Sequence, residues 1–148
     1  NTITKEDLKE NLNRLGIDLL LSTLPKYLKK EIFLKKQDDS QATYAKKIFN
    51  KDRKINFFKN KNEIYNFIRS FSPKPGAWFE FKGENIKILS CETNSIIGKK
   101  STILSNTLDI GCRDGSIKPT IIQREGKKIM DIDQFIRGFN FSIGDQIN

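Results

Sequence analysis

Ile68-Arg69-Ser70-Phe71-Ser72-Pro73-Lys74-Pro75-Gly76-Ala77-Trp78-Phe79 is the stretch on which the reading of this chain turns. It reads as the end of a helix, a stiff corner and the start of a sheet. Each proline fixes its own φ at about −65° and pushes the preceding residue out of the α region. The helix must therefore stop near Ser72. Gly76 can take a backbone angle closed to other residues, so the chain can turn sharply into Ala77-Trp78-Phe79.

Upstream of the corner, Ile64, Phe67, Ile68 and Phe71 recur at i, i+3, i+4 and i+7. This spacing predicts an amphipathic helix over 62–71, capped by Asn60 or Asn62. Downstream, residues 78–81 and 86–89 read as a hairpin joined by Lys82-Gly83-Glu84-Asn85. Further strands are expected near 101–104, 107–112 and 116–123, the last two joined by the Arg113-Asp114-Gly115 turn. Pro119 marks an edge or a bulge in its strand. Asp131 can cap a short helix through Ile132, Phe135 and Ile136, and the tail 139–147 alternates as a last strand would. Five or six short strands with a helix on one side predict an α+β, mostly β fold. A small OB-like Greek-key barrel is expected, because closure removes bare edges. Trp78 offers a ring on which a base could stack, but beside the corner in a phenylalanine-rich strand it reads as core.

The first 36 residues differ from the rest. Thr4 and Asp7 look like an N-terminal cap, and Leu8, Leu12, Leu15 and Leu19 follow at helical spacing. Gly16 weakens this helix and Pro25 ends or kinks it. Leu19-Leu20-Leu21 with Leu24 and Leu28 makes a face apolar enough to need a large partner. Such leucines, left open, favour self-association. Residues 35–41 are polar throughout and read as a linker.

The net charge is +9, from 27 Lys+Arg against 18 Asp+Glu. Such an excess points to an anionic partner, of which nucleic acid is the commonest, or to a solubilising surface in a lysine-rich proteome. Residues 46–61 alone hold Lys46, Lys47, Lys51, Arg53, Lys54, Lys59 and Lys61 against the single acid Asp52. Phe49, Ile55, Phe57 and Phe58 interleave with these charges and are expected to dock on the core. The lysines form either a solvated face or a phosphate-binding strip. With no histidine, the common zinc sites and histidine acid–base catalysis are excluded. Cys91 and Cys112 lack a metal-ligand spacing and read as reduced and packed, as in a cytoplasmic protein. No apolar run approaches a membrane span, so no membrane partner is expected. Asn1 in place of a methionine suggests a cut end.

Four stretches stand in order: Thr43-Tyr44-Ala45-Lys46-Lys47-Ile48, then 68–77, then Gln123-Arg124-Glu125-Gly126-Lys127-Lys128-Ile129-Met130, then Phe135-Ile136-Arg137-Gly138. Together they resemble the C-terminal part of the methionyl-tRNA formyltransferase family over essentially the whole chain. The resemblance implies two parts. Residues 1–36 would be the helical end of an α/β formyl-transfer domain plus the start of a linker. Residues 37–148 would be an OB-like domain that helps to hold initiator methionyl-tRNA. It also implies a parent reaction, in which a formyl group passes from the co-substrate 10-formyltetrahydrofolate to the amino group of methionine on the tRNA in the cytoplasm. The family's catalytic Asn, His and Asp would lie upstream of Asn1, leaving this stretch without catalytic, cofactor or metal residues, and the parent enzyme would be monomeric. Lys74 departs from the family pattern, which has an aromatic between the two prolines.

On that reading the tRNA-binding candidates are Lys46, Lys47, Lys51, Arg53, Lys54, Lys74, Lys127 and Lys128. Lysine suits diffuse phosphate contact because it is a mobile point charge, and Gly126 allows close backbone approach beside Lys127-Lys128. The alternative is an accessory domain of another formyltransferase, acting on nucleotide sugars or in folate metabolism, with no nucleic-acid role.

Overall fold

A computed structural model describes residues 2–148, which divide into two units. The smaller, Glu6–Ile48, is built on α1 (Lys5–Leu28). The helix begins directly after Thr4 and continues through Pro25 for three residues before stopping. A proline removes one N–H from the ladder but need not end a helix that is already about to stop. No side chain of α1 is buried, and Leu12, Leu15, Leu19, Leu20, Leu21 and Leu28 are all exposed. The expected linker is ordered at one point. The Asp38 carboxylate accepts from the Ser40 amide (3.0 Å) and hydroxyl (2.6 Å), closing a short 3-10 turn over Asp39–Gln41.

The larger unit comprises Phe49–Asn148 with residues 2–5. Its α2 (Lys61–Phe71) starts with a capping box. Asn60 accepts from the Glu63 amide at 2.8 Å, while Glu63 accepts from the Asn60 amide at 3.3 Å. Ile64 and Ile68 are its buried stripe, and it ends at Ser72, as the prolines require. Both X-Pro bonds of the corner, Ser72-Pro73 and Lys74-Pro75, are cis. Gly76 sits at φ +84, and a Cβ there would lie 3.0 Å from Lys87 Cδ.

The sheet is antiparallel, in the order β1 (Ala77–Phe81), β2 (Glu84–Asn94), β4 (Ser116–Arg124), β3 (Ile110–Gly111), with β5 (Ile129–Asp131) also on β4. The β1–β2 turn is tighter than the four residues expected. Only Lys82 and Gly83 lie between Phe81 and its partner Glu84, at φ 51 and 78, as a type I′ turn demands. On one side Pro119 faces Cys91, where the β2–β4 register shifts. On the other it stands in the gap between β3, which pairs Ser116 and Ile117, and β5, which pairs Ile121–Gln123, so it lies at a bulge and at a locally open edge of β4. Leu89 has no partner on β4, and this is why Ile88 and Leu89 can both be buried.

The strands do not close into a barrel. The expected strand at 101–104 is reduced to the bridges Thr102–Gln146 and Ile103–Ile110, and the one at 107–112 to two residues. Ser101 and Leu108 take φ of 55 and 62, which extended strand cannot contain. The tail forms no strand. Its hydrogen bonds nevertheless reach both sides of the gap: Ile147 N donates to Ser101 O (2.9 Å), and Glu80 and Asn148 exchange main-chain bonds (2.7 and 2.9 Å). Inside lie Phe57, Phe79, Phe135, Ile86, Ile88, Ile110, Ile117 and Ile122, all buried. β5, unforeseen in the sequence, leads directly into α3 (Ile132–Gly138), whose Ile132 and Phe135 join this core.

Candidate nucleic-acid interface

The basic stretch folds as a turn followed by a buried anchor. Asn50–Arg53 is a single 3-10 turn, and the lone acid Asp52 accepts from the Phe49 amide at 2.8 Å. Ile55 then donates its N–H to Trp78 O (2.7 Å), and Ile55 and Phe57 enter the core. Only these two dock as expected. Phe58 is 62 % exposed against 1 % for Phe57, because the two sit in a turn closed by Lys59 N on Asn56 O (3.3 Å), and Phe49 is also exposed. Lys100 sits over the Phe58 ring at 5.8 Å.

Arg53 is the most committed of the candidates. Its Nη1 donates to Pro75 O (3.1 Å) and Gly76 O (2.8 Å), and Nη2 donates to Asn50 Oδ1 (2.5 Å). The guanidinium thus pins the basic turn to the proline corner, where Lys74 stands exposed between the two prolines. Lys54 lies 3.9 Å from the Glu80 carboxylate and 5.4 Å from the Trp78 ring centroid.

Trp78 is not a core residue. Ala77, Phe79 and Phe81 are the buried positions of β1, so strand alternation turns Trp78 to the outer face. There its Nε1 donates to Asn50 O (2.9 Å), and the ring is half-buried. It lines a cleft of about 230 Å³ together with Asn50, Arg53, Lys87, Gln123 and Gly126, among others. One wall is therefore the basic turn and the other the end of β4, with the exposed Lys127 and Lys128 immediately beyond. Gln123 ties that loop down by donating to Lys127 O at 2.9 Å. Arg124 grips Glu84 through two bonds of 2.9 and 2.8 Å. This pairing holds the Glu84 carboxyl below its ordinary value, with Lys127 adding to the effect.

The fold thus gathers Arg53 and Lys54 around Trp78, near Lys127-Lys128, with Lys51 exposed on the same turn. Lys46 and Lys47 belong to the smaller unit, where both are exposed. Lys87 and Gln123 were missed as cleft residues. The alternation Ala77-Trp78-Phe79-Glu80-Phe81 contained the signal, since it puts Trp78 outside and its cross-strand partner with it.

Residues 47–140 match the family model described as formyl transferase, C-terminal domain. Among curated relatives, a methionyl-tRNA formyltransferase of Bradyrhizobium diazoefficiens is 36 % identical over 148 residues, covering 97 % of this chain and 48 % of the relative. One from Rhizorhabdus wittichii is 39 % identical over 113 residues, covering 75 % of this chain and 37 % of its own length. The chain spans about half the length, or less, of these relatives. A crystal structure of a HypX variant from Aquifex aeolicus superposes with a TM-score of 0.71 at 14 % identity, over 92 % of this chain and 26 % of that one. At that identity the likeness concerns the fold. Among the described residues, no helix is long and apolar enough to cross a membrane.

Proposed function

Because this chain belongs to the formyl transferase C-terminal domain family, we propose that it is the tRNA-holding part of a methionyl-tRNA formyltransferase. In that reading residues 37–148 grip initiator methionyl-tRNA. Formyl transfer from 10-formyltetrahydrofolate in translation initiation is carried out by residues outside this chain, which alone transfers nothing. Residues 1–36, with their open leucines, belong with the catalytic part and drive self-association when it is missing. The sheet, with the tail's hydrogen bonds at Ser101 and Glu80 reaching across its gap, is read as an OB-like arrangement left open between its strands.

The observation that carries this reading is the cleft flanked by basic side chains: Arg53 in one wall with Lys54 over the Trp78 ring, and Lys127 and Lys128 just beyond the other. A rigid basic turn held to a β-surface suits recognition of folded RNA by shape and backbone charge. A packing module in a nucleotide-sugar or folate enzyme has no use for it.

The test is titration of the chain with initiator tRNA across a salt series. Neutralising about six phosphates predicts a loss of roughly a thousandfold in affinity between 50 and 200 mM salt. Binding that is absent, or indifferent to salt, overturns the reading.

A further inference from the structure

The outer face of the sheet carries an aligned row of side chains. Trp78 on β1 lies opposite Lys87 on β2, Lys87 opposite Gln123 on β4, and Gln123 opposite Ile129 on β5. Residues directly opposite in an antiparallel ladder share a face. The row therefore runs from an aromatic ring through an ammonium to a carboxamide, across four strands. Its first three members line the cleft described above.

The row is held in place on both sides. The indole is fixed by Nε1 on Asn50 O, and Lys54 approaches the ring. The Lys87 stem lies against Gly76, where a Cβ would meet Lys87 Cδ at 3.0 Å, and its ammonium is 3.5 Å from Gln123 Oε1. Two acids adjoin the row. Glu125, itself in the cleft wall, accepts from Asn85 at 3.3 Å, and Glu80 pairs with Lys54 at 3.9 Å, so both are engaged. Lys51, Lys127 and Lys128 stand around them, exposed. The balance near the cleft is positive and suits an anionic occupant.

Size and chemistry narrow the occupant. At about 230 Å³ the cleft is smaller than the ~300 Å³ at which ligand pockets for drug-sized molecules begin. It suits one planar ring with its sugar, not a run of them. A duplex keeps its bases stacked inside, so a ring recessed in a cleft can be met only by an unpaired base. Resting on the RNA-binding reading above, we propose that this cleft takes one unstacked nucleotide of a single-stranded RNA segment. Its base lies against Trp78 and its phosphate at Lys87.

Trp78 is the single tryptophan of the chain, so its emission reports on this cleft alone. The chain is titrated with a mixed-sequence single-stranded RNA eight-mer and, separately, with initiator tRNA. Each titration is followed by tryptophan emission and by the anisotropy of a label on the RNA. The expected result is a change in emission that saturates together with the anisotropy for both RNAs. Trp78→Leu and Lys87→Ala each weaken eight-mer binding about tenfold, while Trp78→Phe, which keeps a stacking ring, stays near wild type. Lys87→Ala lies on the surface and keeps the test valid should Trp78→Leu unfold. Salt-dependent tRNA binding with unchanged emission, and with Lys87→Ala binding as tightly as wild type, overturns this inference and leaves the tRNA reading standing. An eight-mer that quenches Trp78 while tRNA fails to bind upholds the cleft and overturns the tRNA reading. No binding of either RNA overturns both.

Discussion

Ser72 Oγ donates to the carbonyl oxygen of Leu89 at 2.6 Å, inside the protein. Leu89 is skipped between the paired residues Ile88 and Ser90 of β2, and at this bulge the proline corner supplies a donor. Ser72→Ala removes that donor and leaves a buried carbonyl bare. A loss of about 1–3 kcal/mol is expected. It should appear as a lower urea midpoint with an unchanged slope; an unchanged midpoint would mean Leu89 O has another donor.

Arg53 ties the same corner to the basic turn. Its three donor bonds to Pro75, Gly76 and Asn50 need a planar fork, which lysine lacks. Arg53→Lys and Arg53→Ala should therefore lower stability alike, by about 1–2 kcal/mol, and weaken tRNA binding to a similar degree. If lysine restores the affinity, Arg53 acts as a phosphate contact and not as a positioning residue.

Asp109 is a buried residue, 1 % exposed. It accepts from Ser105 Oγ (2.5 Å), Thr107 Oγ1 (2.9 Å), Asn94 Nδ2 (3.0 Å) and Ser116 Oγ (3.3 Å). Burial pushes the acid's pKa up, but the bonds from Ser105, Asn94, Thr107 and Ser116 together outweigh it and leave the acid below its ordinary value. A depressed folded pKa gives stability that is fully present above the unfolded value of about 3.9 and is lost as pH falls through the folded one. The melting temperature of the wild type should fall below about pH 4. Asp109→Asn should be less stable at pH 7 by about 1–3 kcal/mol and should lose less on acidification. Parallel melting curves for the two proteins from pH 7 to pH 3 would remove Asp109 from this role.

Reversing the charges of Lys46, Lys47, Lys51 and Lys54 to glutamate separates RNA binding from packing. All four are exposed, and the Lys54–Glu80 pair that the reversal breaks is a surface contact worth little. Affinity for initiator tRNA is expected to fall more than tenfold and the salt dependence to flatten, with the melting temperature unchanged. Unchanged affinity would favour an accessory domain without a nucleic-acid role.

The corner, α2 and the first hairpin were legible because local chemistry decides them. The prolines stop the helix, Asn60 starts it, and Lys82-Gly83 turns the strands. The stretch from Ser95 to Leu108 was not legible. Its path depends on distant contacts: Ile103 bonds Asp145 O (2.9 Å), and Gly111 passes so close under the Lys99 carbonyl that a Cβ would sit 2.3 Å from it. Neither contact leaves a periodic mark in sequence. At the candidate cleft, charge counting picks out the basic turn and the Lys127-Lys128 loop beside it. It could not find Lys87 or Gln123, which belong to the cleft only through strand register.

The main-chain exchange between Glu80 and Asn148 joins the first strand to the last residue of the unit. Hairpins and helices form from neighbours in microseconds, but this pairing must wait for nearly every intervening segment to find its place. The tail's pairing with Glu80 is therefore among the last contacts of the larger unit to form, after the transition state has been passed. Substitutions in the tail should then speed unfolding far more than they slow folding.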